Sequence, residues 1–418
     1  MEVMEDRYSI EEQLAYREQA PLSPVCLTLC GLLIVVLGIL PVAPMNLIRI
    51  LRPAFILACV LFPSRYEYRL TFERWQLVSL IYYTIIFICH EITRNAIYVY
   101  VSLVLFILFF IFVVKRVWSK KEILLLLFTM VLACDFQAVA VLASNPRLLG
   151  ENGSDLISYM GVLTNRNPIA FAIVPGALCS LLIITGSRKA LRGPGRLFLV
   201  VSFLISGFTV FAIGCRSAFA SLIVGTVMLF LNAINEERWV DQRFKKMLLI
   251  SLLVLSAFFL TRYLAFGTYS ERLFDTFELD SGRDRIWRTA IEMIREKPVF
   301  GGGYDYWISG DIDMGTHNTF LLTGLYTGYI GIGFLAIFLI RTLGECIRHR
   351  AWFSLAFLAE TIFHSYSETS LDYYAYIPLI IAVVLLRYTS IHKGNLGSLF
   401  FTDRRSRAMY KNDREMDI

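Results

Sequence analysis

"MGTHNTFLLTGLYTGYIGIG" covers residues 314–333 and marks the point where a polar stretch turns into a long oily one. The apolar run continues to about residue 340, which makes a block of bilayer-spanning length. A helix whose only task is to cross a bilayer has no need of a histidine at its mouth. His317, Asn318 and the glycines behind them therefore raise a question of chemistry as well as one of fold.

Blocks of the same length recur along the whole chain. The 418 residues are 56% hydrophobic and only 18% charged, too apolar for a soluble protein. Reading the apolar runs against the thickness of a hydrocarbon core gives about twelve spans. They fall at 24–40, 44–62, 76–91, 96–114, 122–143, 167–185, 197–213, 217–233, 247–264, 317–340, 351–367 and 373–389. Arg49 and Arg52 interrupt the second span and must snorkel or pair. The turn PVAP (41–44) makes the first two spans a tight pair. The expected fold is an all-α polytopic membrane protein with one long extracytoplasmic loop, 265–316, inside a transmembrane domain covering 24–389. Residues 1–23 are expected to be an uncleaved cytoplasmic tail, and residues 390–418 a basic cytoplasmic one.

The net charge of +6 reports topology and gives no reason to expect a nucleic-acid partner; the surrounding partner is membrane lipid. Basic residues gather in alternate loops, at 63–75, 115–121, 187–196, 237–246 and 341–350. By the positive-inside rule these loops and both termini face the cytoplasm, and the 265–316 loop and His317 face outward. The eight cysteines lie scattered, nearly all within spans and without a C-x-x-C pair, as small apolar packers. The sequence holds no metal-ligand spacing, phosphate-binding loop, dinucleotide fingerprint or nucleophile elbow, so no cofactor is expected. It also holds no evident internal repeat, which argues against transporter folds built from repeats.

Several polar residues converge on the predicted outer rim. Arg216 sits between two oily runs in FAIGCRSAFASLIVG (211–225), either snorkelling to lipid phosphate or offering a fixed anion-binding group. The long loop carries an amphipathic helix in DSGRDRIWRTAIEMIREKPVFGGGYDYW (280–307), where Ile286, Ala290, Met293 and Ile294 recur at helical spacing. Asp280 or Ser281 is positioned to cap its start, and Lys297-Pro298 followed by three glycines ends it. Arg288 has Asp284 and Glu292 four residues to either side, which explains it as helix-surface pairing. Arg285 shares its face. Arg283 has Leu279 and Trp287 in those positions and is the best placed of the group to meet an external anion.

His317 opens the next span. An imidazole titrates near neutrality and can accept a proton there, although a lone membrane histidine is also a common packed residue. Asn318 either orients it or binds a polar substrate. Gly324, Gly328, Gly331 and Gly333 recur at close spacing and predict a close helix–helix contact. Further candidates for substrate binding are Arg285, Arg288, Tyr304, Arg166 at the start of a span, and His364. Glu360, His364 and Glu368 are spaced one turn apart, as a second acid/base group, an acceptor subsite or a set of interhelical hydrogen bonds.

Taken in order, GCRSA (214–218), GRDRIW followed by EKPVFGGG (282–303), and HNTFL with glycines seven, eleven and fourteen residues after the histidine resemble one family. It is the O-antigen ligase and O-antigen polymerase superfamily of bacterial envelope glycosyltransferases. The similarity covers roughly residues 160–340 together with the span count. Many members carry an acidic or amide residue a turn after the histidine, where this chain has Leu321, Leu322 and Thr323. The resemblance implies a GT-C-like fold in the bacterial inner membrane, with Arg216, Arg283 and His317 in the functional positions. It implies a donor glycan on undecaprenyl pyrophosphate, transferred on the periplasmic side without nucleotide or metal. The acidic pair of DID (311–313) lies on a loop beside His317 and is not read as a metal site.

That chemistry suits the residues. Guanidinium forks bind phosphate oxygens bidentately and would stabilise charge as the glycosyl–phosphate bond breaks. His317 would take the proton of the incoming sugar hydroxyl, and attack opposite the leaving group would invert the anomeric centre. A ligase passes the glycan to lipid A–core, and a polymerase passes it to a second lipid-linked repeat unit; the three residues serve either acceptor. A carrier of lipid-linked sugars would use the arginines without the base, and a purely structural protein would use them for lipid headgroups.

Overall fold

A computed structural model describes residues 21–34, 74–89, 116–146, 156–186, 193–235, 283–303, 316–367 and 376–391. The spans expected at 44–62, 96–114 and 247–264 lie outside these residues, as do Tyr304, Glu368, the helix-capping pair at 280–281, the DID stretch and almost all of both tails.

Among the described residues the chain forms ten helices and one β-hairpin. The helices are α1 (Pro24–Ile34), α2 (Arg74–Cys89), α3 (Lys120–Ser144), α4 (Arg166–Gly186), α5 (Pro194–Ile213), α6 (Arg216–Asn235), α7 (Arg283–Glu296), α8 (Thr319–Arg348), α9 (Trp352–Ser367) and α10 (Tyr376–Ile391). Of these, α3, α4, α5 and α8 are long and apolar enough to cross a membrane. α3, α4 and α5 cover the spans expected for them; α8 begins at Thr319, two residues inside its expected span, and runs on to Arg348, so the first eight residues of the 341–350 basic loop are helical. Lysine and arginine are good helix formers, so charge does not end a helix.

α4 is the centre of the bundle. Its apolar stretch is buried on all sides, against α3, α5, α6 and α9. Small residues permit this: a methyl group on Gly176 would lie 2.2 Å from the Cβ of Cys134, and one on Gly225 would lie 2.7 Å from Leu178. The contacts also fix direction. Cys134 meets Ala172 and Gly176, Leu222 meets Gly207, and Gly225 meets Leu178. Consecutive members of the series α3, α4, α5 and α6 therefore run antiparallel, and α4 and α6 run parallel. Cys26, Cys30, Cys134, Cys179, Cys215 and Cys346 are buried and unbridged, in keeping with their reading as apolar packers.

The departure from an all-α chain is the hairpin of β1 (Leu156–Tyr159) and β2 (Val162–Asn165), between α3 and α4. Leu156 pairs with Asn165 and Tyr159 with Val162, leaving Met160 and Gly161 as a two-residue turn. Both have positive φ, 49° and 84°, the geometry of the turn that joins tightly twisted strands. Asn145 ties the hairpin to the end of α3. Its amide donates to Val141 O at 2.7 Å and Ser158 O at 2.6 Å, and its Oδ1 accepts from Ser158 N at 2.9 Å. Burial pushes the Tyr159 phenol up to about 12, so it stays protonated.

At the other end of α3, Ser119 and Glu122 form a reciprocal cap. Glu122 also pairs with Arg116 at 2.9 Å, and Ser23 bonds to both. Arg116, counted above among the basic residues of the 115–121 loop, is therefore a buried, paired cation stacked over Trp118 at 4.8 Å. It fastens the segment before α1 to the start of α3.

Candidate functional site

The site is best built from α7. Its apolar face, Ile286, Ala290 and Ile294, seats on Leu321 and Leu325 of α8, with Trp287, Met293 and Tyr326 around it. Gly324 makes this close approach possible, because a methyl group there would lie 2.7 Å from Ile294. Leu321, one of the three residues where the resemblance leads one to expect an acidic or amide side chain, packs against α7. Thr323 is turned inward on α8, its hydroxyl donating to Thr319 O at 2.8 Å.

Trp287, four residues after Arg283, donates its indole N–H to Thr316 O at 2.9 Å. Thr316 immediately precedes His317. The first turn of α7 is thereby held against the entry to α8, which brings the Arg283 and His317 segments together. Both side chains are half-buried. Arg285 and Arg288 are exposed on the far face of α7.

His317 is not part of α8. Its φ is 47°, in the left-handed region that costs a residue with a Cβ about 1–2 kcal/mol. Two neighbours impose this conformation. Asn318 is the N-cap of α8: its Oδ1 accepts from Leu321 N at 3.0 Å and its amide donates to Tyr366 O at 3.1 Å. The Thr316 hydroxyl donates to Asn318 O at 3.0 Å. Asn318 is buried, with both ends of its amide engaged. Strain of this kind concentrates where a side chain must be aimed.

Tyr366, in the last turn of α9, joins the remaining pieces. It accepts from Asn318, and its ring meets Trp287 edge-on at 5.5 Å. Below it on α9, His364 stacks on Phe171 of α4 at 3.5 Å, and Glu360 accepts from Ser221 of α6 at 3.3 Å. As α9 rises from 360 to 364, its partners step back towards the start of α4, so α9 runs antiparallel to α4 and α6. Arg216 is five residues before Ser221, and Arg166 five before Phe171, each about 7.5 Å further along the axis. The backbone of Arg216 therefore reaches the level of Tyr366, where the His317 and Arg283 segments also attach. Arg166, half-buried, begins α4 at the same end of the bundle.

His364 is fully buried below that level, 4.0 Å from Glu360, which is fully buried too. Sequence reasoning left substrate binding and interhelical bonding open for this pair. The structure places both inside the bundle, with Ser221 and Phe171 as cross-helix neighbours. Reasoning from sequence also passed over Trp287, Tyr366 and Tyr82, whose roles depend on partners up to 245 residues away. Only the placement of Trp287 beside Arg283 hinted at its part.

The four glycines of α8 do not form the single packing face expected of them. A methyl group on Gly324 would meet α7, one on Gly331 would meet Thr327 of its own helix, and one on Gly333 would meet nothing within 4 Å. Gly328 has φ 67° and ψ −171° and breaks the helix. In an unbroken helix Tyr329 N would donate to Leu325 O. Instead Tyr329 N donates to Pro298 O at 2.8 Å, and Leu325 O accepts from Gly302 N at 2.8 Å. Backbone from the loop after α7 is inserted into the gap. A methyl group on Gly301 would lie 2.5 Å from Thr327 N, and one on Gly328 would lie 2.5 Å from Pro298 O. Gly301 and Gly302 of KPVFGGG and Gly328 of GLYTGYIGIG thus serve one backbone-to-backbone contact.

Residues 201–336 match the O-antigen ligase family. This segment holds Arg216, α7, the inserted loop and His317. Over this segment the match supports the O-antigen ligase/polymerase superfamily. No curated protein matches it. The O-antigen ligase match and the apolar helices together support a membrane protein of general ligase/polymerase type, a family that is glycosyltransferase-like. Tyr82, α3, α4 and α9 lie outside the matched segment, so part of what holds the O-antigen ligase region in place comes from elsewhere in the chain.

Proposed function

We propose that this protein transfers a glycan from undecaprenyl pyrophosphate to an acceptor sugar hydroxyl, on the outer side of the bacterial inner membrane. In this reading the chain crosses the membrane about twelve times. Both termini are cytoplasmic, and the long 265–316 loop lies in the periplasm. What supports it is that Trp287 ties the Arg283 segment to Thr316, Asn318 ties the His317 segment to the end of α9, and helix register from the Ser221–Glu360 bond brings the backbone of Arg216 near the same level. The left-handed backbone at His317 supports a side chain held for a purpose.

The reaction runs as follows. The acceptor oxygen attacks the anomeric carbon from the face opposite the pyrophosphate. The carbon–oxygen bond to the pyrophosphate breaks and its electron pair leaves with the phosphate oxygen. The hydroxyl proton passes to the His317 imidazole. Arg216 and Arg283 balance the charge that accumulates on the pyrophosphate, and Arg166, Arg285 and Arg288 extend the cationic rim. In this reading the guanidinium groups supply the countercharge and no metal is needed. Asn318 orients His317, Tyr304 is assigned to substrate binding, and His364 supports the floor of the site from within the bundle.

The test is reconstitution with lipid-linked repeat units, with and without lipid A–core. His317→Ala is expected to lower turnover by about 10²–10⁴-fold while donor still binds, as loss of a general base does. Undiminished transfer by His317→Ala would leave a carrier or a structural role as the better account. Growth of chains on the lipid carrier marks a polymerase, and transfer that requires core marks a ligase.

A further inference from the structure

The loop inserted at Gly328 is held by a residue from a distant part of the chain. Tyr82, on α2, is buried, and its hydroxyl lies 2.5 Å from Val299 O and 2.5 Å from Thr327 O. The first carbonyl belongs to the loop and the second to α8, one residue before the break. The ring is packed against Phe300 of the loop at 6.1 Å and Phe334 of α8 at 5.4 Å. A phenol has one hydrogen to give, so it is shared between two carbonyls that would otherwise face one another without a donor between them.

We propose that Tyr82 is a positioning residue for glycosyl transfer, its hydroxyl pinning the 297–303 loop into the break of α8 so that α7 stays in register with His317. The argument rests on the glycosyltransferase reading above and deepens it. α7 is fastened at two ends. Trp287 bonds to Thr316 at its start, and the inserted loop bonds to Leu325 and Tyr329 at its finish. Between the fastenings lies a small apolar seat of four buried residues. An α-helix held at one end pivots about that end. Loosening the loop leaves α7 to swing about the Trp287–Thr316 bond, which tilts the first turn, with Arg283, relative to the strained residue it must face. Transfer needs the leaving pyrophosphate and the attacking hydroxyl aligned at once, and a displacement of about 1 Å is enough to cost orders of magnitude in rate.

Tyr82→Phe removes the hydroxyl and keeps the ring against Phe300 and Phe334. Two measurements on the full-length protein in lipid nanodiscs test the proposal: steady-state transfer from a lipid-linked repeat unit, and amide hydrogen exchange of the peptides covering 297–303 and 325–330. The expected result is faster exchange in both peptides, turnover reduced about tenfold, and a donor KM within about twofold of wild type. Phe334→Leu, which loosens the ring packing but leaves the hydroxyl in place, is expected to keep most of the turnover. Wild-type turnover in Tyr82→Phe overturns the proposal, as does lost turnover with unchanged exchange at 297–303. Absence of transfer by the wild-type protein with either acceptor overturns the glycosyltransferase reading, and the proposal with it.

Discussion

Gly328→Ala tests the insertion in its simplest form. The alanine methyl group would be built 2.5 Å from both Pro298 O and Val299 O. Carbon and oxygen settle at about 3.3–3.6 Å, so both carbonyls must retreat by about 0.8 Å. The φ of 67° costs a residue with a Cβ about 1–2 kcal/mol by itself. Retreat of the loop weakens the Tyr329–Pro298 and Gly302–Leu325 bonds, each worth about 0.5–1.5 kcal/mol net. The chain has one escape: α8 closes into a continuous helix, Tyr329 regains Leu325, and the loop is expelled. That route exposes the Tyr82 hydroxyl and both glycine-loop carbonyls to loss of their partners, so it does not recover the difference. The sum is a destabilisation of about 2–4 kcal/mol. Gly333→Ala is the control. Nothing lies within 4 Å of its methyl position, and alanine gains up to about 1 kcal/mol in helix propensity. Equilibrium unfolding of the two variants in mixed micelles, followed by far-UV circular dichroism, gives the comparison. Equal stability of Gly328→Ala and wild type would refute the inserted-loop geometry, and with it the reason both glycine motifs exist.

Other outcomes follow from the same contacts. His317→Gly is expected to unfold no earlier than wild type, because glycine accepts a φ of 47° without strain, yet to lose transfer; a thermal melt alongside the transfer assay separates the two effects. Asn318→Ala removes the N-cap of α8 and the bond to Tyr366, costing about 1 kcal/mol for the cap and lowering turnover. Asn318→Asp should restore the cap but not the donor to Tyr366 O, so stability returns and turnover does not. Glu122→Ala removes the carboxylate that balances the buried Arg116 charge and is expected to destabilise by about 3–5 kcal/mol, whereas the double change Arg116→Met with Glu122→Leu should recover most of it; the two unfolding curves check this.

The sequence by itself determined the spans. Apolar blocks of bilayer length leave a chain no other low-energy arrangement than helices, since the backbone must satisfy its own hydrogen bonds in lipid. That is why α3 to α6 and α8 to α10 appear where composition puts them, within a few residues. The amphipathic period of α7 was legible for the same reason, and its apolar face is the one that packs. The order of Arg216, Arg283 and His317 could likewise be read as a pattern.

Tertiary structure alone decided how those residues are held. Gly328 looks like any other small residue in a helix, and only the loop arriving from Pro298 turns it into a break. Met160 and Gly161 became a hairpin because Asn145 offers the first strand a partner at the end of α3. Arg116 reads as a loop cation until Glu122 and Ser23 close around it. His317 is strained by its neighbours' bonds to Tyr366 and Trp287, partners that no local pattern specifies. The division is physical: hydrophobic length and period act along one stretch of chain, while hydrogen bonds between distant segments depend on positions that exist only after those stretches have packed.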